Sequence, residues 1–435
     1  MKKVMYILPL IMVISLLATA CAQPTPAPAP TKPPAAAPTQ APAAAPTQPP
    51  AAAPTKPPAA ATVRIGGLWP LTGDLAKLGE ETKQGMELAV DEINAAGGLK
   101  GMGGAKLEIV WADTQGKPDT GISEVERLAQ QEKVVAFIGA YQSGVTTPAT
   151  QAAERLKVPF IVAMAVSDKI TERGFKYTFR VCPKASWYAK DQVTFAKDLK
   201  DLAGLTIKKV ALLHEDTDFG ESTAAGQKKY LAEAGMEVTI EVKYPASAAD
   251  LTTEVSKVKA TNPDAVMTVT YLNDAILIAQ AREALKMTNI PFIDAAGGTV
   301  DPEFIKRLGP IAEGWLTMIE YTKYAVGAKD LNDRFLKRYK VDITGNGAYA
   351  YQTAYILADA INRAGKADRD AVRDALAKTN YTKDTGTLVL PTDKLYFDEQ
   401  GQNPNAPLFV VQVQKGELIP VWPGKYAATK VQIGK

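Results

Sequence analysis

From Val63 onward, short apolar runs alternate with longer segments whose apolar positions recur every three or four residues. Short apolar runs bounded by turn residues read as buried strands, and the longer periodicity is that of helices laid against a sheet. The alternation therefore predicts an α/β chain with parallel sheets covered on both faces. VRIGGLW at 63–69 reads as the first strand, and Met86, Ala89, Val90 and Ile93 share one face of a helix over 80–96 that Gly97 ends. Strands at 106–111, 134–139 and 159–163, separated by helices at 118–132 and 145–156, complete one doubly wound lobe. A second run starts near Lys184, with strands at 208–214, 237–244, 265–271 and 291–295 between helices at 186–199, 219–234, 251–260 and 274–286. A strand at 315–320, helical stretches at 331–339, 349–364 and 370–378, and a hairpin over 408–422 turning at Lys415 and Gly416 belong to neither run alone. The chain is thus expected to cross between lobes more than once.

Ahead of Val63 the pattern is of another kind. Lys2 and Lys3 precede an apolar run from Val4 to Leu17, then the small residues Ala18, Thr19 and Ala20, then Cys21. A charged start, a short apolar core and a small-residue cleavage point make 1–20 a secretory signal peptide. From Cys21 to Ala61 near-copies of APTQ, APTK and PPAAA hold no acidic and no aromatic residue, a composition that builds no core. At ~3.1 Å per residue in polyproline II, such a tract reaches on the order of 100 Å as a semi-rigid stalk. Setting aside the lysines at 2, 3, 32 and 56, the formal charge of +3 falls to −1. That balance offers no concentrated basic face for nucleic acid.

Chemistry is sparse. His214 is the single histidine, which leaves a triad without a partner pattern and a His/Cys zinc site without ligands. The glycine cluster at 97–104 follows a helix instead of opening one and fits no phosphate loop. An enzyme is not expected, and neither a cofactor nor a metal. What recurs is uncharged polar and aromatic residues at strand ends, where loops of open α/β sheets converge on ligands. These ends are Trp69, the group Tyr141, Gln142 and Ser143, the run Met164, Ala165, Val166 and Ser167, the stretch 216–219 ending in Phe219, Tyr271, and 294–298 beginning with Asp294.

Those segments carry a family likeness. PLTGDLAKLGEETKQGMELAVDEINAAGGLKG (70–101), IGAYQSGVTTPATQAAERLKVPFI (138–161), DKITERGFKYTFR (168–180), HEDTDFGES (214–222) and AREALK (281–286) resemble, in order, the leucine/isoleucine/valine-binding group of type I periplasmic binding proteins. Cys21, behind Ala18, Thr19 and Ala20, resembles the lipidated cysteine of bacterial lipoproteins. The resemblance implies two doubly wound lobes joined by a three-segment hinge, 62–183 plus 317–395 and 184–316 plus 396–435, closing on a small ligand. It implies an extracytoplasmic, lipid-anchored, monomeric substrate-binding protein that serves an ABC permease. A ligand-sensing receptor module of the same fold is the alternative.

Position by position, Ser143 matches the family's carboxylate-binding serine and Phe219 its side-chain-packing aromatic. Val166 stands where a threonine hydroxyl is expected, beside Ser167, and Ala296 where the acid pairing with an ammonium is expected, two residues after Asp294. An ammonium buried without a counter-charge costs several kcal/mol. The resemblance therefore leaves open an amino acid, an amide or a carboxylic acid without the amine, set between Trp69 and Phe219 with Gln142 and Ser143 on its polar end. With Cys21 acylated, Cys182 has no disulfide partner.

Overall fold

The computed structural model describes residues 61–324, 328–384 and 386–434. The expected signal peptide, Cys21 and the stalk up to residue 60 lie outside the described residues. Among the described residues no helix is long and apolar enough to cross a membrane.

In chain order the first part comprises β1 (Thr62–Trp69), α1 (Ala76–Ala95), β2 (Lys106–Asp113), α2 (Pro118–Gln130), β3 (Phe137–Gly139), α3 (Ser143–Arg155), β4 (Phe160–Val162) and β5 (Thr178–Arg180). Its five strands form a parallel sheet ordered β2-β1-β3-β4-β5. The second part comprises α4 (Ala185–Ala203), β6 (Lys209–Glu215), α5 (Asp218–Glu233), β7 (Glu237–Tyr244), α6 (Thr252–Ala260), β8 (Ala265–Thr270), α7 (Leu272–Ala284), β9 (Phe292–Gly297), α8 (Pro302–Leu308) and β10 (Leu316–Ile319). Then come α9 (Ala328–Tyr339), α10 (Gly345–Ala364), α11 (Arg369–Ala377), the small ribbon β11 (Asn380–Thr382) with β12 (Lys394–Tyr396), and the hairpin β13 (Phe409–Gln414) with β14 (Glu417–Trp422). The second sheet is ordered β14-β13-β10-β9-β8-β6-β7, with only β13 and β14 antiparallel to their neighbours.

Each sheet is covered on both faces. On the first, α2 and α3 bury Val125, Leu128, Ala149 and Ala152 against Leu68, Phe137 and Phe160. The opposite face takes Met86, Ala89, Val90 and Ile93 of α1 and much of α10. Helices α1 and α10 cross so closely that a Cβ on Gly85 would sit 2.1 Å from the Gly347 carbonyl oxygen, so the crossing depends on glycine there. On the second sheet, α4 and α5 supply Val193, Phe195 and Leu231, while α6, α7 and α8 supply Val255, Ile278 and Phe304. Helix boundaries follow local chemistry: Thr217 accepts from the Phe219 N–H at the start of α5, Asp301 accepts from the Glu303 N–H at α8, and Gly204 ends α4 in the left-handed region.

The chain runs from the first sheet to the second between β5 and α4. It leaves β10 for helices that pack on α1, and returns to β13 after an isolated bridge between Arg180 and Gln402. Strand β5, helix α8 and the ribbon β11–β12 have no counterpart in the periodicity. Each is seven residues or fewer, too short to display a repeat. Helix α10 starts at Gly345, four residues before the expected start at Tyr349, because the Thr344 hydroxyl caps it and α1 packs against its glycines.

Candidate functional site

The C-terminal ends of both sheets face one cavity of about 430 Å³ of atom-free space, mouth included. The first sheet contributes Tyr141 and Ser143 after β3 and Met164 and Val166 after β4. The second contributes Phe219 after β6, Tyr271 after β8 and Ala295, Ala296 and Gly297 at the end of β9, while Tyr188 on α4, Val300, Glu320 and Asn346 complete the wall. A wider cleft outside it is bounded by Thr72, Asp74, Gln115 and Gln142 on one side and by Thr217, Ala246 and Asn273 on the other, with Tyr271 lining both spaces.

Six of the eleven strand-end residues named from sequence meet here: Tyr141, Ser143, Met164, Val166, Phe219 and Tyr271. Gln142 lines the outer cleft. Trp69, Ala165, Ser167 and Asp294 are buried away from the cavity and line neither space. The Trp69 indole lies wholly in the core, with its N–H unpartnered, because the end of β1 packs against the α1 face. Ala165 and Ser167 point inward, and their carbonyl oxygens, with that of Val166, accept from the buried Arg180 guanidinium at 2.7–3.4 Å.

Asp294 departs from the alternation argument because β8 and β9 slip register. Thr268 faces Asp294 but Thr270 faces Gly297, a bulge that gives three steps on one strand against two on the other. Parity along β9 is broken, and Asp294 turns into the sheet to accept from the hydroxyls of Thr268 (2.7 Å), Thr270 (3.0 Å) and Thr299 (2.7 Å). Ala296 is left on the cavity wall at φ 68°, in the left-handed region. Beyond it a Cβ on Gly297 would lie 2.0 Å from the Thr270 carbonyl oxygen, which explains glycine at that turn.

The site loops are held from behind. Fully buried Glu215 gathers the Thr217 N–H and hydroxyl and the Gly220 N–H, setting Phe219 at the first turn of α5. Asp274 accepts from the Tyr271 N–H (2.9 Å) and the Tyr244 hydroxyl (2.7 Å), and burial pushes its pKa up to about 7. The Ser143 hydroxyl oxygen accepts from the Ser167 N–H at 3.1 Å, tying the loops after β3 and β4 together. Ser143 also opens the 13-residue helix α3, whose first N–H groups have no intrahelical acceptor. Phenol rings from opposite sheets meet across the cavity, Tyr141 against Tyr271 at 6.3 Å, and Phe219 stacks on Tyr271 at 5.6 Å.

Ion pairs bridge the two halves at the rim: Lys77 of α1 to Glu303 (3.1 Å) and Asp301 (3.9 Å), and Lys169 to Asp218 (3.3 Å). Both lysines are about half exposed, so each pair contributes under ~1 kcal/mol. Among the described residues no cluster of three metal-ligating side chains occurs, and Cys182 is a buried free thiol pushed up to about 12 by burial. His214 is buried beside the Glu215 carbonyl and the Glu241 carboxylate, outside the cavity.

Four cavity residues went unanticipated: Tyr188, Val300, Glu320 and Asn346. Glu320 was legible in principle, since it follows β10, which runs parallel to β9 and ends on the same side. Tyr188 and Asn346 sit inside helices at the crossings, where no strand end marks them.

With Ser143 at both a helix start and a loop-to-loop hydrogen bond, Ser143→Ala is expected to weaken ligand binding roughly 10-fold or more, by losing a charge-assisted bond of ~1.5–3 kcal/mol. Calorimetric titration of wild type and variant reads it, and equal affinities would remove Ser143 from the binding surface.

Comparison with known proteins agrees with this architecture. Residues 62–417 match the family model described as periplasmic binding protein. Leu/Ile/Val-binding protein homolog 8 of Brucella abortus is 30% identical over 389 residues, covering 86% of this chain and 93% of the relative. The branched-chain amino acid transporter substrate-binding protein of Streptococcus pneumoniae, solved with isoleucine, superposes with a TM-score of 0.71 at 25% identity, covering 82% of this chain and 97% of that one. A solute-binding protein of an ABC transporter from R. palustris, solved with benzoate, gives 0.72 at 20% identity, covering 83% and 95%. Two parallel-dominated sheets with a cavity between their strand ends, and a family match across nearly the whole described chain, place it: the chain belongs to the periplasmic binding protein family, with the type I fold and its likeness among the Leu/Ile/Val-binding proteins.

Proposed function

We propose that this chain is the extracytoplasmic solute-binding protein of an ABC importer, capturing a small polar ligand by hinged closure of two lobes and passing it to a membrane permease. The observation that carries the reading is the cavity itself, whose wall is drawn from both sheets and from the crossing segments. A ligand seated there touches both halves at once and stabilises only their closed arrangement. In this reading the lobes are 62–183 plus 317–395 and 184–316 plus 396–435, and the rim ion pairs of Lys77 and Lys169 add to closure. Cys21 carries the lipid that keeps the clamp, at the end of its stalk, within reach of the permease. The relatives support import over sensing, since those with solved structures named above are transporter proteins.

Thermal-shift screening of the full chain against amino acids, small amides, carboxylates and polyols tests the reading. A ligand at 100 times its Kd adds about 2.7 kcal/mol, a rise of several degrees in Tm. A flat response across the whole panel would sink it.

A further inference from the structure

The cavity wall contains one formally charged side chain, Glu320, and no Lys, Arg or His. Glu320 is only 6% exposed, and its Oε2 accepts from the Tyr188 hydroxyl at 3.1 Å. Among the described residues no cation lies within ion-pair distance of it. The fully buried guanidinium of Arg180 is spent on three backbone carbonyls, Gln402 and Thr171. A buried carboxylate without a counter-ion is costly, and burial raises its pKa accordingly. Burial first, and then the carboxyls of Asp301 and Glu320, disfavour a negative charge on the Tyr141 phenol beside it. The same cavity is lined by the aromatic rings of Tyr141, Tyr188, Phe219 and Tyr271, a side-chain type whose ring faces attract cations.

Resting on the solute-binding reading, we infer that the ligand is an organic amine in its ammonium form, and that Glu320, on the segment leaving β10, is its counter-charge. The acid missing at Ala296 on the second sheet is thereby supplied from a crossing segment. That segment follows the hinge, so the charge pair forms as the halves close. A purely anionic ligand meets Glu320 without compensation and is rejected. A zwitterion is accepted with its ammonium toward Glu320 and its carboxylate toward Ser143 and the free N–H groups of α3.

The test uses pairs that share a skeleton and differ in the amine: leucine against 4-methylpentanoate, phenylalanine against 3-phenylpropanoate, and isoamylamine against isopentanol. Each is titrated calorimetrically into the full chain and into Glu320→Gln. The amine-bearing member is expected to bind at least ~10-fold tighter in wild type, and Glu320→Gln to cost that member ~100-fold while sparing or improving its partner. The comparison within wild type stands even if the variant folds poorly. The inference is overturned if the tightest binder lacks an amine, if Glu320→Gln keeps the amine preference, or if no pair binds. Should none bind while amides or polyols still raise Tm, the amine assignment falls and the solute-binding reading survives.

Discussion

Arg180→Met is expected to destabilise the chain by about 4 kcal/mol and to loosen the ligand site together with it. The guanidinium is fully buried and makes its bonds in a fork: Nη1 to the carbonyls of Ala165, Val166 and Ser167, Nη2 to the Thr171 hydroxyl at 2.9 Å, and Nε to Gln402 Oε1 at 2.5 Å. Methionine fills most of the volume but donates nothing. It leaves several buried acceptors unpaired at ~1–3 kcal/mol each, of which one or two find alternative partners, as the Val166 carbonyl already has in the Ala185 N–H. Gln402 stands 222 residues further along, where the chain returns toward the second sheet, so the same side chain ties the loop carrying Val166 to two of the crossings. The expected results are a Tm lower by about 5–10 °C and a ligand Kd raised at least ~10-fold. Arg180→Lys should fall between, because an ammonium cannot span the fork. A Tm within a degree of wild type would show that the loop is held by its backbone contacts alone.

Arg180 also shows which parts of the architecture were readable in the chain and which were not. Strands such as β1 and β7, and helices such as α1 and α5, follow from apolar spacing and caps, because each buries a face that repeats. The strand-end rule located Tyr141, Ser143, Met164, Val166, Phe219 and Tyr271 for the same reason: topology, not side-chain detail, puts them at the cavity. It misplaced Trp69 because a strand's last residue faces the core as readily as the cleft, and only the packing of α1 decides. It misplaced Asp294 because the β8–β9 bulge breaks alternation, and a one-residue slip leaves no mark in composition. Tyr188, Asn346 and Arg180 belong to the crossings, where residues far apart in sequence meet and no local period reports them. The largest consequence is Glu320. Read from Ala296 alone, the site lacks an acid; read from the cavity wall, it has one.

Asp294 carries the strongest expected pH dependence. Burial drives its pKa up to about 8, and three threonine hydroxyls pull in the other direction without winning. In the unfolded chain the same carboxyl titrates near ~3.9. Between those values the folded protein holds a proton that the unfolded chain releases. The stability linked to this group is therefore complete below pH ~4 and is lost as pH rises through about 8. Asp294→Asn keeps the shape and the acceptor oxygen but cannot ionise. Relative to wild type, the variant should gain stability on going from pH 5 to pH 8, by about 4 kcal/mol at ~1.4 kcal/mol per unit with flattening only near pH 8. Asp274 and Glu81, both pushed up to about 7, and Asp191, to about 6, remain in both proteins, so the difference between them isolates Asp294 while each alone loses stability over the same range. Urea unfolding of both proteins at half-unit steps from pH 5 to 8.5 measures it. A difference that stays level would mean that Asp294 is ionised in the fold throughout, stabilised by the Thr268, Thr270 and Thr299 hydroxyls strongly enough to outweigh its burial.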